Sequence, residues 1–312
     1  MTAHTGFHEG ELAVQRRAGV AREAARLRGM LDRPRLGGAV ARFLADRELA
    51  ALGARDEGGR LWVSALTGAP GFLSTRDDVV RVGARPRAGD PLTGLTTGGA
   101  AALIVVDFAV RRRLRLNGTL AAADDAGFEL AVDQAYGNCP QYIQQRLLGP
   151  APAGGPAEDT LPAGARAGTP AADGLDAAQA AMVGRADTFF LGTAHPERGA
   201  DVSHRGGPPG FVRVAADGRL WWPDYPGNNM FNSLGNLAAD SAGALLFVDF
   251  ATGTTLQLSG TAAVDWITPG APGDDGGTGR RVRFTPRHVA AGRIPVRADG
   301  VLPYRLNPTL TG

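Results

Sequence analysis

Residues 105–109 read VVDFA, and residues 247–251 read FVDFA. Residues 114–120, LRLNGTL, return as LQLSGTA at residues 256–262, and both pairs share an offset of 142 residues (247 − 105 and 256 − 114). A period of about 140 residues is far longer than the roughly 20–50 residues of a solenoid repeat. It matches the size of a whole domain. The sequence therefore predicts a duplicated domain whose halves pack as a pseudo-dimer, with a functional site expected at the seam between them.

The matches continue upstream, where Val63-Ser64 recurs as Val202-Ser203 and residues 71–73 recur as residues 210–212, each 139 residues later. Helical periodicity covers residues 9–31 and 38–47. Short apolar segments separated by Gly, Pro and Asp turns follow at 49–54, 61–66, 79–82, 101–108, 113–121 and 128–135, and again at 187–194, 200–204, 210–215, 219–222, 243–250 and 255–265. This pattern is typical of an antiparallel barrel or sandwich, so a mainly β protein with flanking helices is expected.

Three regions are predicted along the chain. Residues 1–148 form the first domain, with helices at its start, and residues 175–312 form the second. Residues 149–174 between them are mostly Gly, Pro and Ala and are predicted to be a flexible linker. Further helices are predicted at 141–148, where Pro140 would occupy the first turn, and at about 176–185. The tail from Val282 to Val296 is expected to add a strand or two.

Composition excludes several classes of protein. The formal net charge of the 312 residues is only +2, which argues against a nucleic-acid or acidic-membrane partner. No Lys occurs, so no side-chain amine can form a Schiff base. The single cysteine, Cys139, excludes an internal disulfide and a multi-cysteine metal cluster and fits a reducing compartment. The start of the chain lacks the apolar core of a signal peptide, so a cytoplasmic protein is expected.

The first candidate site follows a predicted strand. Ser203, His204 and Arg205 precede Gly206 and Gly207. A hydroxyl and a guanidinium suit a phosphate, and the glycines would let backbone amides approach a ligand. A surface hairpin with a stray His and Arg is the alternative. The matching segment of the first half has Ala65 and Leu66 where the second has His204 and Arg205, so the polar pair is not required by the fold.

Two further stretches are candidates for anion binding. Asn228, Asn229, Asn232 and Ser233 follow a Pro-Gly turn; a helix that begins near Asn229 would favour an anion at its amino end, although a cap and turn would use the same residues. Arg111, Arg113 and Arg115 would share one face of a strand. Three cations on one face call for a ligand phosphate, a network of carboxylates, or a fully solvated edge.

Other chemistries lack their residues. His195 and His204 miss the usual zinc spacings, no Walker motif can exist without Lys, and no G-x-S-x-G elbow occurs. Cys139 could pair with a distant His as a nucleophile or be a structural cysteine. His204 is the only candidate acid or base for a substrate, with phosphate binding as its other expected role, and the catalytic residues stay unassigned.

The order SHRGG-x-PGF, PGNN-x-x-x-S-x-GNL and L-x-L-x-G resembles the pyridoxamine 5′-phosphate oxidase-like, FMN-binding split-barrel family, in particular its two-barrel flavin-nucleotide-binding branch. Residues 7–11 (FHEGE) and residues 136–143 (YGNCPQYI) fit as well. The resemblance implies two tandem antiparallel Greek-key split β-barrels that pair, with FMN in the cleft between them. It places the phosphate among Ser203, His204, Arg205, Gly206, Asn228, Asn229, Asn232 and Ser233, and brings Arg111, Arg113, Arg115 and Tyr136 of the other half to the same seam.

The function that follows is that of a flavoprotein. We expect an oxidoreductase that uses non-covalent FMN for hydride or electron transfer, with a small-molecule redox substrate or an electron donor such as NAD(P)H. Relatives that bind F420 or haem leave those cofactors open, and a non-catalytic flavin or haem binding module is the alternative function. A homodimer of pseudo-dimers is also left open.

Overall fold

A computed structural model gives the fold and describes residues 6–32, 34–137, 139–150, 169–171 and 174–311. The helices are α1 (Glu9–Arg17), α2 (Ala21–Ala25), α3 (Ala39–Ala45), α4 (Ala177–Arg185) and α5 (Asn232–Ala239), with a short 3-10 helix at Arg28–Leu31. The strands of the first half are β1 (Leu49–Arg55), β2 (Leu61–Thr67), β3 (Leu73–Arg76), β4 (Val79–Val82), β5 (Ala100–Asp107), β6 (Arg112–Asp124), β7 (Gly127–Gly137) and β8 (Leu148–Pro150). Those that follow are β9 (Thr169–Pro170), β10 (Thr188–His195), β11 (Gly199–Gly206), β12 (Arg213–Val214), β13 (Leu220–Pro223), β14 (Ala242–Asp249), β15 (Thr254–Trp266), β16 (Arg280–Arg293) and β17 (Val296–Ala298).

Each half forms one antiparallel sheet, and the two sheets have the same topology. The first has the order β2-β1-β5-β6-β7-β4-β3, and the second has the order β11-β10-β14-β15-β16-β13-β12, with β9 added beside β16. Strands make up 42% of the described residues and helices 15%, and both sheets are open, consistent with two tandem split barrels. The predictions of a mainly β fold and of a duplicated barrel are confirmed.

The two sheets pack against each other through a core that neither half completes alone. β11 lies against β5, and β14 lies against β2. One apolar cluster draws on both halves, with Val63, Ile104, Val202 and Leu246 among its buried members. Two other clusters fill the first and second barrels. The seam is therefore a continuous hydrophobic core, and burial of apolar surface is the main force that holds the halves together.

Two glycines let the sheets approach closely at the seam. A Cβ atom at Gly192 of β10 would lie 2.6 Å from Cγ2 of Val63, and one at Gly53 of β1 would collide with the same atom of Val202. Gly53 pairs with Val63 in the first sheet, and Gly192 pairs with Val202 in the second. The two contacts are thus related by the pseudo-two-fold symmetry of the duplication.

Several predicted elements differ from the structure. The predicted helix 9–31 is broken, because Gly19 adopts a φ of +73° after α1. The predicted helix at 141–148 does not form: the chain turns at Tyr142, whose φ is +63°, and Gln145 bridges to Leu302. β3 was missed. The tail adds β16 and β17, so that prediction is confirmed.

Most of the predicted linker, 149–174, falls outside the described residues. Pro150 ends β8, which pairs with β17, and Thr169–Pro170 pairs with β16. Within the described part of the chain, no helix is long and apolar enough to cross a membrane.

Candidate functional site

A cleft opens at the seam where β6 of the first half faces β11, β13 and the amino end of α5 in the second. We call it the seam cleft. Its cavity volume is about 100 Å³, which is smaller than the roughly 300–1,000 Å³ typical of small-molecule sites. Its walls carry Arg113, Arg115, Cys139, Gln141, Tyr142, His204, Arg205, Gly206, Phe211, Trp222, Asp224, Tyr225, Asn228, Asn229, Asn232 and Ser233.

The arginines of β6 separate into two groups. Arg113 and Arg115 lie on the strand and reach the seam cleft. Arg111 precedes β6 with a φ of +54°, and it donates to the carbonyl groups of Ile143, Leu302 and Pro303. The prediction that all three share one strand face is therefore wrong for Arg111, because the turn between β5 and β6 reverses the chain at that residue.

Arg115 belongs to a buried network. Its guanidinium donates to the carboxylate of Asp201 on β11 at 3.0 and 3.2 Å. Ser233 of α5 donates to the same carboxylate at 3.0 Å, and its Oγ lies 3.1 Å from the hydroxyl of Ser203. The ring centroid of Tyr136 lies 5.8 Å from the guanidinium carbon of Arg115. Of the three arrangements that the sequence allowed, Arg115 therefore adopts pairing with a carboxylate of the protein.

Arg113 has no such partner. Its Nη1 lies 3.0 Å from Nδ1 of His204, its Nε has no hydrogen-bond partner, and no carboxylate of the described residues compensates its charge. Burial, followed by the like charges of Arg115 and Arg205, lowers the pKa of Arg113 to about 9. A desolvated cation without a counter-charge is costly, so this position favours an anion from outside the chain.

His204 is held in one neutral form by Arg113. A guanidinium can only donate, so Nδ1 of His204 must accept and the proton lies on Nε2. Burial and then the charge of Arg113 hold the pKa of His204 well below its usual value. Nε2 is buried and has no hydrogen-bond partner among the described residues. His204 therefore presents one unpartnered N–H donor beside two arginines.

Arg205 is only partly neutralised. Its Nη1 lies 3.4 Å from Oδ1 of Asp224, while the other carboxylate oxygen accepts from Nε of Arg280 at 2.9 Å. The Nε of Arg205 has no hydrogen-bond partner in the part of the chain that the structure describes. Burial lowers the pKa of Arg205, and Asp224 opposes that shift. Because Asp224 is shared between two arginines, the walls of the cleft retain excess positive charge.

The amide side chains of residues 228–232 mainly form hydrogen bonds within the protein. Asn228 accepts from the backbone N–H of Met230, and Asn229 adopts a φ of +61°. The helix begins at Asn232, not near Asn229, and Asn232 donates to Glu11 of α1 at 2.5 Å. These residues line the cleft, and Asn228 forms the turn that the sequence left open as an alternative. The expected side-chain cap is not formed, because Phe231 occupies the N-cap position of α5.

Gly206 packs against another part of the chain, whereas the sequence predicted that it lets backbone amides approach a ligand. A Cβ atom there would collide with the carbonyl oxygen of Tyr142, so the glycine admits a backbone segment of the first half. Gly207 is crowded in the same way by the ring of Phe211. The glycines allow a close approach within the chain, and that contact builds one wall of the cleft.

Sequence reasoning missed the residues of α1 as partners of the site. His8 caps α1, its Nδ1 accepts from Gly10, and its Nε2 therefore donates to Oδ1 of Asn236 on α5 at 3.0 Å. Glu11 is buried and accepts from the backbone of His8 and from Asn232. Burial raises the pKa of Glu11 to about 7. The signal in the sequence was FHEGE at residues 7–11, in which His8, Glu9 and Glu11 lie close to Gly10.

Of the twelve residues predicted for the site, nine line the seam cleft: Arg113, Arg115, His204, Arg205, Gly206, Asn228, Asn229, Asn232 and Ser233. Ser203 and Tyr136 lie behind its wall, in contact with Ser233 and Arg115, and Arg111 lies elsewhere. Within the described residues, no group of three or more His, Cys, Asp or Glu side chains is placed to hold a metal ion.

Comparison with known families finds a match in the second half. Residues 175–266, from the segment before α4 to the end of β15, match the family model described as Pyridoxamine 5′-phosphate oxidase. The second half is therefore similar to this family over those residues. The resemblance seen in the sequence is confirmed there, and the first half repeats the strand order of the second.

Among solved structures, the chain is similar to HupZ from Group A Streptococcus, with 11% identity over 40% of this chain and 99% of that chain and a TM-score of 0.31. A putative pyridoxamine 5′-phosphate oxidase from Lactobacillus delbrueckii shares 15% identity over 38% of this chain and 93% of that chain, with a TM-score of 0.30. A structure described as F420 reductase shares 16% identity over 36% and 93%, with a TM-score of 0.27. No curated protein sequence matches the chain.

Proposed function

We propose that the chain binds FMN non-covalently in the seam cleft and acts as an FMN-dependent oxidoreductase. One observation carries the proposal: Arg113, His204 and Arg205 line one cleft, and among the described residues their only carboxylate partner is Asp224, which Arg205 shares with Arg280. A phosphate dianion supplies the missing charge and accepts several donors at once.

The phosphate would lie between Arg113 and Arg205. Arg115 is already paired with Asp201, so it would add to the positive field without direct contact. Ser233, whose hydroxyl also contacts that of Ser203, would hold Asp201 in place from behind. Arginine is suited to such a role because its planar guanidinium binds phosphate oxygens with two parallel hydrogen bonds.

The remaining walls suit a flat ring. Tyr142 and Tyr225 pack with ring centroids 4.9 Å apart, and Phe211 lies 6.3 Å from Tyr225. Aromatic faces stack on planar ligands and exclude water. The bound flavin would supply hydride or electron transfer, while the chain would hold it and set the polarity around it. A small-molecule redox substrate and a donor such as NAD(P)H complete this proposal.

The first test is an absorbance spectrum of the purified protein, with the released cofactor identified by mass. We expect the flavin spectrum and the mass of FMN. The spectrum of F420 or of haem would replace FMN as the cofactor, and both would contradict the proposal. Titration of ligand-free protein should show tighter binding of FMN than of riboflavin, because riboflavin lacks the phosphate.

Reduction separates an enzyme from a binding module. The FMN-loaded protein should be reduced by NADH or NADPH, or by a small-molecule substrate, and reoxidised by air through repeated cycles. A protein that binds FMN tightly but is not reduced by any of these donors would be a non-catalytic flavin-binding module.

A further inference from the structure

The duplication places a counterpart of the seam cleft on the other side of the pseudo-two-fold axis. The register of the sheets fixes the equivalent positions. Ser64 of β2 corresponds to Ser203 of β11, and Gln257 of β15 corresponds to Arg115 of β6. We call the space beside these residues the counterpart cleft. It is smaller than the seam cleft and is lined by Ala65, Arg87, Ala88, Gly89, Asp90, Thr255, Gln257, Ala291, Gly292, Arg293 and Ile294.

The residues that would hold a phosphate are replaced in the counterpart cleft. Arg113 and Arg115 of the seam cleft correspond to Thr255 and Gln257, which carry no charge. His204 and Arg205 correspond in the same way to Ala65 and Leu66. The strands that form this side of the seam therefore present no cation at any of the four positions.

A carboxylic acid is placed there instead. Asp90, from the connection between β4 and β5, accepts from the hydroxyl of Ser64 at 2.5 Å and from the backbone N–H of Leu92 at 2.8 Å. Its second oxygen accepts from Nε2 of Gln257 at 3.0 Å, and the same nitrogen lies 2.9 Å from the hydroxyl of Ser64. Asp90 thus bridges a strand of the first barrel to a strand of the second.

We infer that Asp90 takes the counterpart cleft out of use as a phosphate site and latches the first barrel to the second, so that the chain holds one cofactor instead of two. The stoichiometry rests on the proposed function, whereas the latch does not. An acidic side chain disfavours a phosphate at short range, and Thr255, Gln257, Ala65 and Leu66 are neutral at the positions that carry the cations and the histidine of the seam cleft. The two cations of this lining, Arg87 and Arg293, lie outside those four positions. The two halves have the same fold, but one cleft would bind the cofactor and the other would join the two barrels.

Two measurements test this inference separately. Calorimetric titration of ligand-free protein with FMN should saturate at one equivalent per chain. Two equivalents of comparable affinity would overturn the inference and leave the proposed function standing. Absence of FMN binding would contradict the proposed function, and the latch would then be judged by the second measurement alone.

The second measurement is a double-mutant cycle on the ligand-free protein. Asp90→Ala and Gln257→Ala should each lower the ratio of folded to unfolded protein about tenfold or more, which corresponds to about 1.4 kcal/mol. The double variant should lose less than the product of the two single losses, because the partners interact. Asp125→Ala, which removes an exposed carboxylate from the same barrel, should leave the ratio unchanged.

Additive losses in the cycle, or a loss in Asp90→Ala no larger than in Asp125→Ala, would overturn the latch. If Asp90→Ala does not fold, Asp90→Asn replaces it in the cycle, because the amide keeps one oxygen that can accept from Ser64.

Discussion

At the residue scale, neighbouring arginines of β6 meet different partners. Arg115 is neutralised by Asp201, whereas Arg113 lies beside His204 and pairs with no carboxylate of the described residues. Sequence alone treats the two as equivalent, since both occupy the same face of one strand. The difference comes from β11, which supplies Asp201 opposite one arginine and a histidine opposite the other.

The first prediction concerns the phosphate contacts. Arg113→Ala and Arg205→Ala should each remove a charge-assisted interaction worth roughly 1.5–3 kcal/mol, which weakens FMN binding by about 10–150-fold. Riboflavin binding should hardly change in either variant. The matched control is Arg112→Ala, which removes an exposed arginine of the same strand outside the cleft. Equal losses for FMN and riboflavin would indicate general damage to the fold and would remove the arginines from the site.

The second prediction concerns Glu11. Its pKa of about 7 in the folded protein exceeds the ordinary value, so the folded state retains a proton that the unfolded state has lost between about pH 4.5 and 7. The contribution of Glu11 to stability is therefore fully present below pH 4.5 and lost as the pH rises through 7. Glu11→Gln cannot titrate, so its free energy of unfolding relative to the wild type should improve by up to about 3 kcal/mol between pH 4.5 and 8.

Groups that face Glu11 affect the same pH range. The pKa of His8 is lowered to about 4, mainly by burial and then by His195, so stability gained from this histidine rises between pH 4 and 6.5. Near neutrality His8 carries no charge, and its contact with Glu11 at 3.6 Å is not an ion pair. Asp201 and Arg198 also act on Glu11. Comparing the two proteins by chemical denaturation at each pH cancels these shared terms, and parallel curves would contradict the prediction.

At the element scale, two helices distant in sequence cross at a pair of glycines. A Cβ atom at Gly235 of α5 would lie 2.6 Å from the backbone nitrogen of Glu11, and one at Gly10 of α1 would collide with the carbonyl oxygen of Gly235. This crossing brings Glu11 to Asn232 and His8 to Asn236. The first-half helix is thereby fixed to the helix that borders the seam cleft.

The third prediction follows from this crossing. Gly235→Ala should push α1 away from α5 and destabilise the protein by about 1–3 kcal/mol, the usual cost of overpacking. Gly184→Ala is the matched control, since Gly184 lies within α4 and has no atom within 4 Å of the added methyl group. In that variant the alanine should stabilise the helix by about 0.5–1 kcal/mol. Denaturant midpoints measure both, and equal behaviour of the two variants would refute the close crossing.

At the scale of the whole molecule, the two halves are held together by the buried seam more than by the chain segment that joins them. The cluster formed by both sheets includes Val63, Val202 and Leu246, all fully buried. β8 and β17 pair across the same boundary. The domain bounds at 1–148 and 175–312 stay a proposal, because residues 151–168 lie outside the described part of the chain.

The fourth prediction tests the seam directly. A protease site introduced within residues 151–168 should give two fragments that remain together in native buffer, because the shared core persists after the cut. Val202→Asp would bury a carboxylate without a partner in that core and should let the cut fragments separate. Size-exclusion chromatography measures both. Separation of the fragments with Val202 intact would contradict the pseudo-dimer.

The sequence by itself determined the duplication, the mainly β class and most strand positions. Apolar periodicity and turn residues are local properties, and a repeat such as VVDFA and FVDFA needs no structure to be seen. It also located most of the residues that line the cleft, because Ser-His-Arg-Gly-Gly and the Arg-rich strand stand out from their surroundings.

Only the tertiary structure decided which of these groups are already satisfied. Asp201 neutralises Arg115 across the seam, Asp224 is shared by Arg205 and Arg280, and Asp90 occupies the counterpart cleft. These partners are distant in sequence, and the strength of each pair depends on distance and burial, which no local pattern encodes. For the same reason the sequence predicted that Gly206 contacts a ligand, whereas in the structure Gly206 packs against the backbone of Tyr142.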